Sequence, residues 1–244
     1  MALYISSNHI FVSDGMSAVK QIRIDSGQLV RRINLSQSRP PNSICISPDE
    51  QFLYVAYCRP YDDDDDFYDI DKYRVEDSSR LPMNSCKGNH ICISNDGQLL
   101  FVSGKEIGEI QVVDAANGNN VQTIYFNHIR VLTDDGNICL SPDGNNLFAA
   151  TMNQISILDV NGGERILQIP FFSRYICVSD QFIFASDGSN LIRVLRINDG
   201  SVVQTIPCGT DIMDRFCISP DENEIFTVSF MFTRVPNPIR VFQI

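Results

Sequence analysis

The sequence predicts an all-β chain folded as a β-propeller of six short four-stranded blades, and three observations carry that prediction. One phrase of apolar residues closing in a Ser-Pro-Asp turn recurs along the chain. Its copies stand at a nearly constant spacing, and each is followed by three more strand-like runs. No segment sustains a helical apolar period over three turns.

The phrase reads Ile44-Cys45-Ile46-Ser47-Pro48-Asp49, then Ile91-Cys92-Ile93-Ser94-Asn95-Asp96, then Ile138-Cys139-Leu140-Ser141-Pro142-Asp143. It returns as Ile176-Cys177-Val178-Ser179-Asp180 and as Phe216-Cys217-Ile218-Ser219-Pro220-Asp221. A sixth copy opens the chain. There Tyr4-Ile5-Ser6 aligns with Tyr175-Ile176-Cys177, with Ser6 in the cysteine's place, and the match runs on through Ile22-Arg23-Ile24-Asp25 against Leu195-Arg196-Ile197-Asn198. From Ser6 to Cys217 the anchors are 39, 47, 47, 38 and 40 residues apart, the period of propeller blades.

Each unit has four elements in order. The inner strand is short and apolar, with expected positions near residues 3–7, 43–47, 90–94, 137–141, 175–179 and 215–219. Ser-Pro-Asp-Gly residues end it, since proline presets φ and aspartate caps a tight turn. A second strand follows, rich in aromatic and β-branched residues, as in Phe52-Leu53-Tyr54-Val55-Ala56. The third strand, as in Ile155-Ser156-Ile157-Leu158-Asp159, leads through an Asn/Gly turn to a fourth such as Val121-Gln122-Thr123-Ile124. A small sheet cannot bury both faces alone, so radial stacking is the expected solution. The blades fall near 1–38, 39–86, 87–130, 131–170, 171–210 and 211–244 of one domain.

Strand counting predicts that the last blade lacks its outermost strand. Ile239-Arg240-Val241-Phe242 would then form an apolar edge, and Ile239, Val241 and Phe242 are candidates for pairing with a strand from another chain or a second copy.

Composition bounds the function. Hydrophobic residues are 43 % of 244, enough for a core without a linker or a second domain. A formal net charge of −11, from 19 basic against 30 acidic residues, speaks against nucleic acid and anionic membranes as partners. The first residues carry no signal-peptide pattern, and no apolar run reaches membrane-spanning length, so a soluble cytoplasmic protein is expected. Five of the eight cysteines share one repeat position and none forms a C-x₂₋₄-C pair, which predicts buried thiols in a reducing compartment instead of a disulfide or zinc framework. Cys58, Cys86 and Cys208 lie in loop-like stretches, where one can be reactive.

The succession apolar-x-apolar-Ser-Pro-Asp-Gly, then Leu-Tyr-Val-Ala, then a strand ending in Asp, then Gly-x-x-Val-x-x-Ile resembles the YVTN-type repeat among the WD-repeat-like propellers. The resemblance covers nearly the whole chain and implies the fold. Neither the Trp nor the Gly-His pair of WD repeats is present, so their polar network is not implied.

Candidate sites are few. Two residues before each anchor stand Tyr4, Ser43, His90, Asn137, Tyr175 and Arg215, which would line the upper mouth of the central channel, as a ligand site or as solvated groups. The run Asp62, Asp63, Asp64, Asp65, Asp66, followed by Asp69 and Asp71, interrupts the second blade. It reads as a solvated loop, a docking patch for a basic partner, or a metal site; Phe67 stands where a calcium loop needs glycine. No catalytic residue, metal site or cofactor is assigned. His9, His90 and His128 have no partner at zinc-ligand spacing, and Ser94-Asn95-Asp96-Gly97 misses the glycine position and tryptophan of a sialidase Asp box. The function expected is a non-catalytic scaffold binding a protein or peptide on its loop-rich face, a basic partner being one option. The alternatives are a hydrolase or lactonase-like enzyme with a site at the channel mouth, and a structural subunit of a larger assembly.

Overall fold

The computed structural model describes residues 2–15, 17–37, 39–57, 69–84, 86–103, 109–125, 137–151, 153–208, 213–229 and 239–244. It is all-β, a six-bladed β-propeller. Blade 1 comprises β1 (Leu3–Ile5), β2 (His9–Ser13), β3 (Ala18–Arg23) and β4 (Leu29–Asn34). Blade 2 comprises β5 (Pro41–Ile46), β6 (Phe52–Tyr57), β7 (Ile70–Arg74) and β8 (Arg80–Leu81), and blade 3 β9 (His90–Ile93), β10 (Leu99–Ser103), β11 (Glu109–Asp114) and β12 (Asn120–Tyr125). Blade 4 runs through β13 (Ile138–Leu140), β14 (Asn146–Ala150), β15 (Ile155–Asp159) and β16 (Arg165–Ile169). Blade 5 has β17 (Tyr175–Val178), β18 (Phe182–Ser186), β19 (Leu191–Arg196) and β20 (Val202–Pro207). Among the described residues blade 6 has three strands, β21 (Met213–Ile218), β22 (Glu224–Ser229) and β23 (Arg240–Gln243), as strand counting predicts. Every sheet is an antiparallel meander in chain order. Blades 1 to 3 belong to one compact unit, Met1–Tyr125, and blades 4 to 6 to another, Phe126–Ile244.

The two-residue side-chain period assigns each strand's residues to opposite faces. In the first unit Ile44, Ile46, Leu53 and Val55 join Phe11, Val19 and Ile33 of blade 1 in one cluster. Their neighbours Cys45, Tyr54 and Ala56 turn the other way and join Ile91, Leu100 and Val113 of blade 3. The second unit repeats the device. Ile176 and Ile183 pack with Phe148 and Ile157 of blade 4, and Tyr175 and Phe184 with Phe216 and Ile225 of blade 6. Each buried aliphatic side chain contributes about 1.5–3 kcal/mol, so the blade-to-blade layers supply most of the stabilisation.

The repeated cysteines depart in part from expectation. Cys45 and Cys217 are buried, whereas Cys92, Cys139 and Cys177 are half-buried. A residue of an inner strand has no further strand on its inner flank, so burial there depends on how closely the next blade's strand approaches. No cysteine among the described residues is in a disulfide.

Local chemistry ends the strands. In four blades the serine after the inner strand donates to the aspartate two residues on, at 2.5 Å: Ser47 to Asp49, Ser94 to Asp96, Ser141 to Asp143 and Ser219 to Asp221. The same hydroxyl accepts the N–H that opens the second strand. These hydroxyl bonds hold all four carboxyls below the usual aspartate range. A bulge between the third and fourth strands recurs in blades 1, 3, 4 and 5, always before the third strand's last residues, and adds local twist. Blade 2 departs from this plan. Its outer strand has two residues and is followed by Pro82, which has no N–H for the ladder.

Candidate functional site

The inner-strand positions singled out in the sequence are placed unit by unit. In the first unit, Ser43 Oγ accepts the Ile91 N–H at 3.2 Å and lies 3.4 Å from the Ile91 carbonyl, to which it donates. Next to it, Asn42 Nδ2 donates to the Asn89 carbonyl at 3.0 Å. His90 is 3 % exposed at the start of β9, opposite Ser103. Tyr4 is half-buried against both core clusters of this unit, and burial pushes its phenol well above the ordinary tyrosine value.

The second unit uses the same idea with different side chains. Asn137 Oδ1 accepts the Ile176 N–H at 3.0 Å, and its Nδ2 donates to the Ile176 carbonyl at 3.2 Å. The Arg215 guanidinium lies 4.0 Å from the centre of the Tyr175 ring. Ser43 and Asn137 thus stand at one repeat position and do one job, clipping the backbone of the following blade's inner strand. The run Asp62 to Asp66 lies outside the described residues. Asp71 does not belong with it: it is 2 % exposed on β7, accepts from Tyr73 OH at 2.9 Å and pairs with Arg80 at 2.6 Å.

Two constellations were not singled out in the sequence. The first is Glu50, whose Oε1 accepts from Ser6 Oγ at 2.5 Å while its Oε2 lies 2.8 Å from His9 Nδ1 and 3.4 Å from Gln21 Nε2. Its φ of 56° falls in the left-handed region, where blades 3 and 4 place Gly97 and Gly144. A glutamate in a glycine position was the available signal.

The second is a cavity of about 440 Å³ in the first unit, at the end of blades 2 and 3 that carries the Ser-x-Asp turns. Asp49, Asp96 and Asp114 line it, with Phe52, Tyr54 and Lys72. Lys72 is 7 % exposed; its Nζ donates to the Ala115 carbonyl at 3.0 Å and sits 4.3 Å from the Phe52 ring centre. Tyr54 OH donates to the same carbonyl at 2.9 Å. Burial lowers the Lys72 pKa, opposed by Asp114 and Asp49. The signal in the sequence was a lysine facing Tyr54 across the sheet, where blades 3, 4 and 5 set Val112, Ile157 and Val194 against a phenylalanine. Among the described residues no group of three or more His, Cys, Asp or Glu side chains is placed to hold a metal ion. No helix among them is long and apolar enough to cross a membrane.

No family model matches this sequence, and no curated protein matches it. Solved structures do resemble it in fold. The Cps50 (Swd1) β-propeller domain of Myceliophteria thermophila superposes with a TM-score of 0.71 at 11 % identity, covering all of this chain and 82 % of that one. Kuenenia stuttgartiensis hydrazine synthase superposes with a TM-score of 0.67 at 13 % identity, covering all of this chain and 95 % of that one. At these identities the likeness is one of fold alone: the chain is similar in architecture to a β-propeller.

Proposed function

We propose that this chain is a non-catalytic scaffold that binds a protein or peptide, one carrying basic residues, at the end of the blades where its connections are longest. The observation that carries the reading is the contrast between the two ends of each blade. At one end, short turns are tied by Ser-x-Asp hydrogen bonds. At the other, the chain uses residues 58–69, 126–137 and 230–239 between consecutive strands. Long connections on a rigid frame are where recognition concentrates. The clips from Ser43 and Asn137 stiffen that frame at the same end. The fold likeness to a propeller domain supports a binding role, the free thiols suit a cytoplasmic setting, and five consecutive aspartates favour a cationic partner.

Capture from a native extract tests this. The immobilised wild-type protein is compared with a variant in which Asp62 to Asp66 are all asparagine. The expected result is a set of basic proteins retained at low salt by the wild type and lost with the variant. Equal capture by both, or turnover of a lactone or ester by the purified protein, overturns the reading.

A further inference from the structure

The cavity between blades 2 and 3 exists because three positions there depart together from the repeat. Tyr54 stands where blades 3, 4 and 5 hold Phe101, Phe148 and Phe184, and Lys72 opposite it stands where they hold Val112, Ile157 and Val194. The third departure is Ala115. Its N–H donates to the carbonyl of the residue just before the second strand, a bond also made by Ile24, Val75, Val160 and Ile197. Val75 packs in the layer between blades 1 and 2, and Ile197 in the layer between blades 4 and 5. A branched side chain here therefore fills space against the preceding blade, and alanine leaves that space open. Tyr54 OH and Lys72 Nζ converge on the Ala115 carbonyl at 2.9 and 3.0 Å without refilling it, and about 440 Å³ remains. That volume lies within the ~300–1,000 Å³ of small-ligand sites.

The lining has two characters. Pro48, Phe52 and Tyr54 give apolar and aromatic surface, while Asp49, Asp96 and Asp114 outweigh the single ammonium of Lys72. The turn aspartates alone are not the signal, since Asp143 and Asp221 close the same turns in blades 4 and 6; the room beside them is. Among the described residues the acidic groups are not placed to hold a metal ion, so the cavity suits an extended organic cation. Oδ1 of each aspartate is taken by its own turn, which leaves the second oxygen of each for a ligand. Acceptors spread around a cavity call for N–H groups that diverge, and apolar walls call for an apolar stem. A guanidinium meets both demands, because its planar fork carries five donors and stacks on aromatic rings, whereas an ammonium is a point charge. We infer that this cavity binds an alkylguanidinium, as carried by arginine, with the stem against Pro48 and Phe52 and the N–H groups on Asp96 and Asp114. The site lies at the tightly turned end of the blades and does not rest on the docking role proposed for the other end.

The probe is N-acetyl-arginine methylamide, titrated into the isotope-labelled protein and followed by amide NMR. The expected result is saturable shifts at Gly97, Gln98, Ala115 and Ala116, with a dissociation constant on the order of 1 mM. The uncharged citrulline counterpart should bind about tenfold more weakly or not at all. Ala115→Val, which restores the residue of blades 2 and 4, should weaken binding about tenfold or more, as should Asp96→Asn combined with Asp114→Asn. Cooperative melting curves show that these variants are folded. Asp143→Asn combined with Asp221→Asn, in the equivalent turns of blades 4 and 6, should leave binding unchanged. Agmatine separates the two sources of this chemistry: binding of agmatine alone assigns the site to a free alkylguanidine, and comparable binding of both probes assigns it to an arginine within a polypeptide. No saturable shift with either probe up to about 20 mM overturns the inference. So does equal binding of the citrulline compound, full binding by the Ala115→Val variant, or loss of binding in the Asp143 and Asp221 variant.

Discussion

At the residue scale, the most informative comparison is between Glu50 and Glu222. Both occupy the left-handed turn position, with φ of 56° and 59°, where the equivalent turns of blades 3 and 4 hold glycine. A non-glycine residue there costs roughly 1–2 kcal/mol. Glu50 offsets that cost through the side chains of Ser6 and His9, whereas Glu222, among the described residues, makes the turn's own backbone bond to Ser219. Glu222→Gly should therefore stabilise the protein by about 0.5–1 kcal/mol, and Glu50→Gly should be neutral or destabilising. Denaturant melts of the two variants decide this; equal stabilisation would mean that the Glu50 clamp contributes nothing. The turn aspartates supply a pH dependence at the same scale. Their folded pKa values are depressed by the serine hydroxyls, so their contribution is present above the unfolded value and is lost as pH falls through the folded one. A variant carrying Asp96→Asn and Asp143→Asn should melt below the wild type at pH 7, and the gap should close in acid, once pH has fallen below the ordinary aspartate range. A gap that persists in acid would point to lost geometry instead of lost charge.

At the scale of the element, the inner strands are held by side-chain clips as well as by apolar layers. Removing one leaves an N–H and a carbonyl without their partner, at about 1–3 kcal/mol. Asn137→Ala should cost about that much and Ser43→Ala somewhat less, given the longer bonds of Ser43, which thermal melts can measure. Lys72→Met should be tolerated within about 1 kcal/mol, because Tyr54 OH still donates to the Ala115 carbonyl and blades 3 to 5 carry an aliphatic residue at that position. A large loss would show that the ammonium is an essential cross-link between blades 2 and 3. These same elements show what a sequence conveys. The turns were readable because Ser-Pro-Asp has the same local consequence wherever it occurs, and the strands because apolar alternation is local too. The clips were not, because Ser43 and Ile91 are 48 residues apart and nothing in either residue alone announces the bond. Varied chemistry at the repeat position suggested a ligand ring; in two of the six places the structure fills that position with a backbone-binding side chain. Glu50 and Lys72 were legible in principle, as departures from the repeat, but only against the register that the fold supplies.

At the scale of the whole molecule, one property acts in two directions. The net charge of −11 repels itself, so a compact chain should gain stability as salt screens that repulsion. Association with a cationic partner should respond oppositely, since the same charge accelerates encounter at low salt and screening removes the advantage. The five aspartates from Asp62 to Asp66 make up almost half of that excess and lie outside the described residues. Like charges crowded in one stretch of chain contribute little to folding, so changing all five to asparagine should leave the melting temperature within about 2 °C, or raise it slightly. The same variant should lose most of the salt dependence of partner association. The measurement pairs thermal melts with association rates, for wild type and variant, from low salt to roughly 0.3 M, where the Debye length falls below ~8 Å. Opposite salt slopes in the wild type, with the association slope flattened in the variant, support a docking role for the acidic run. If melting falls steeply in the variant while association keeps its slope, the aspartates belong to the fold and the cationic partner docks elsewhere.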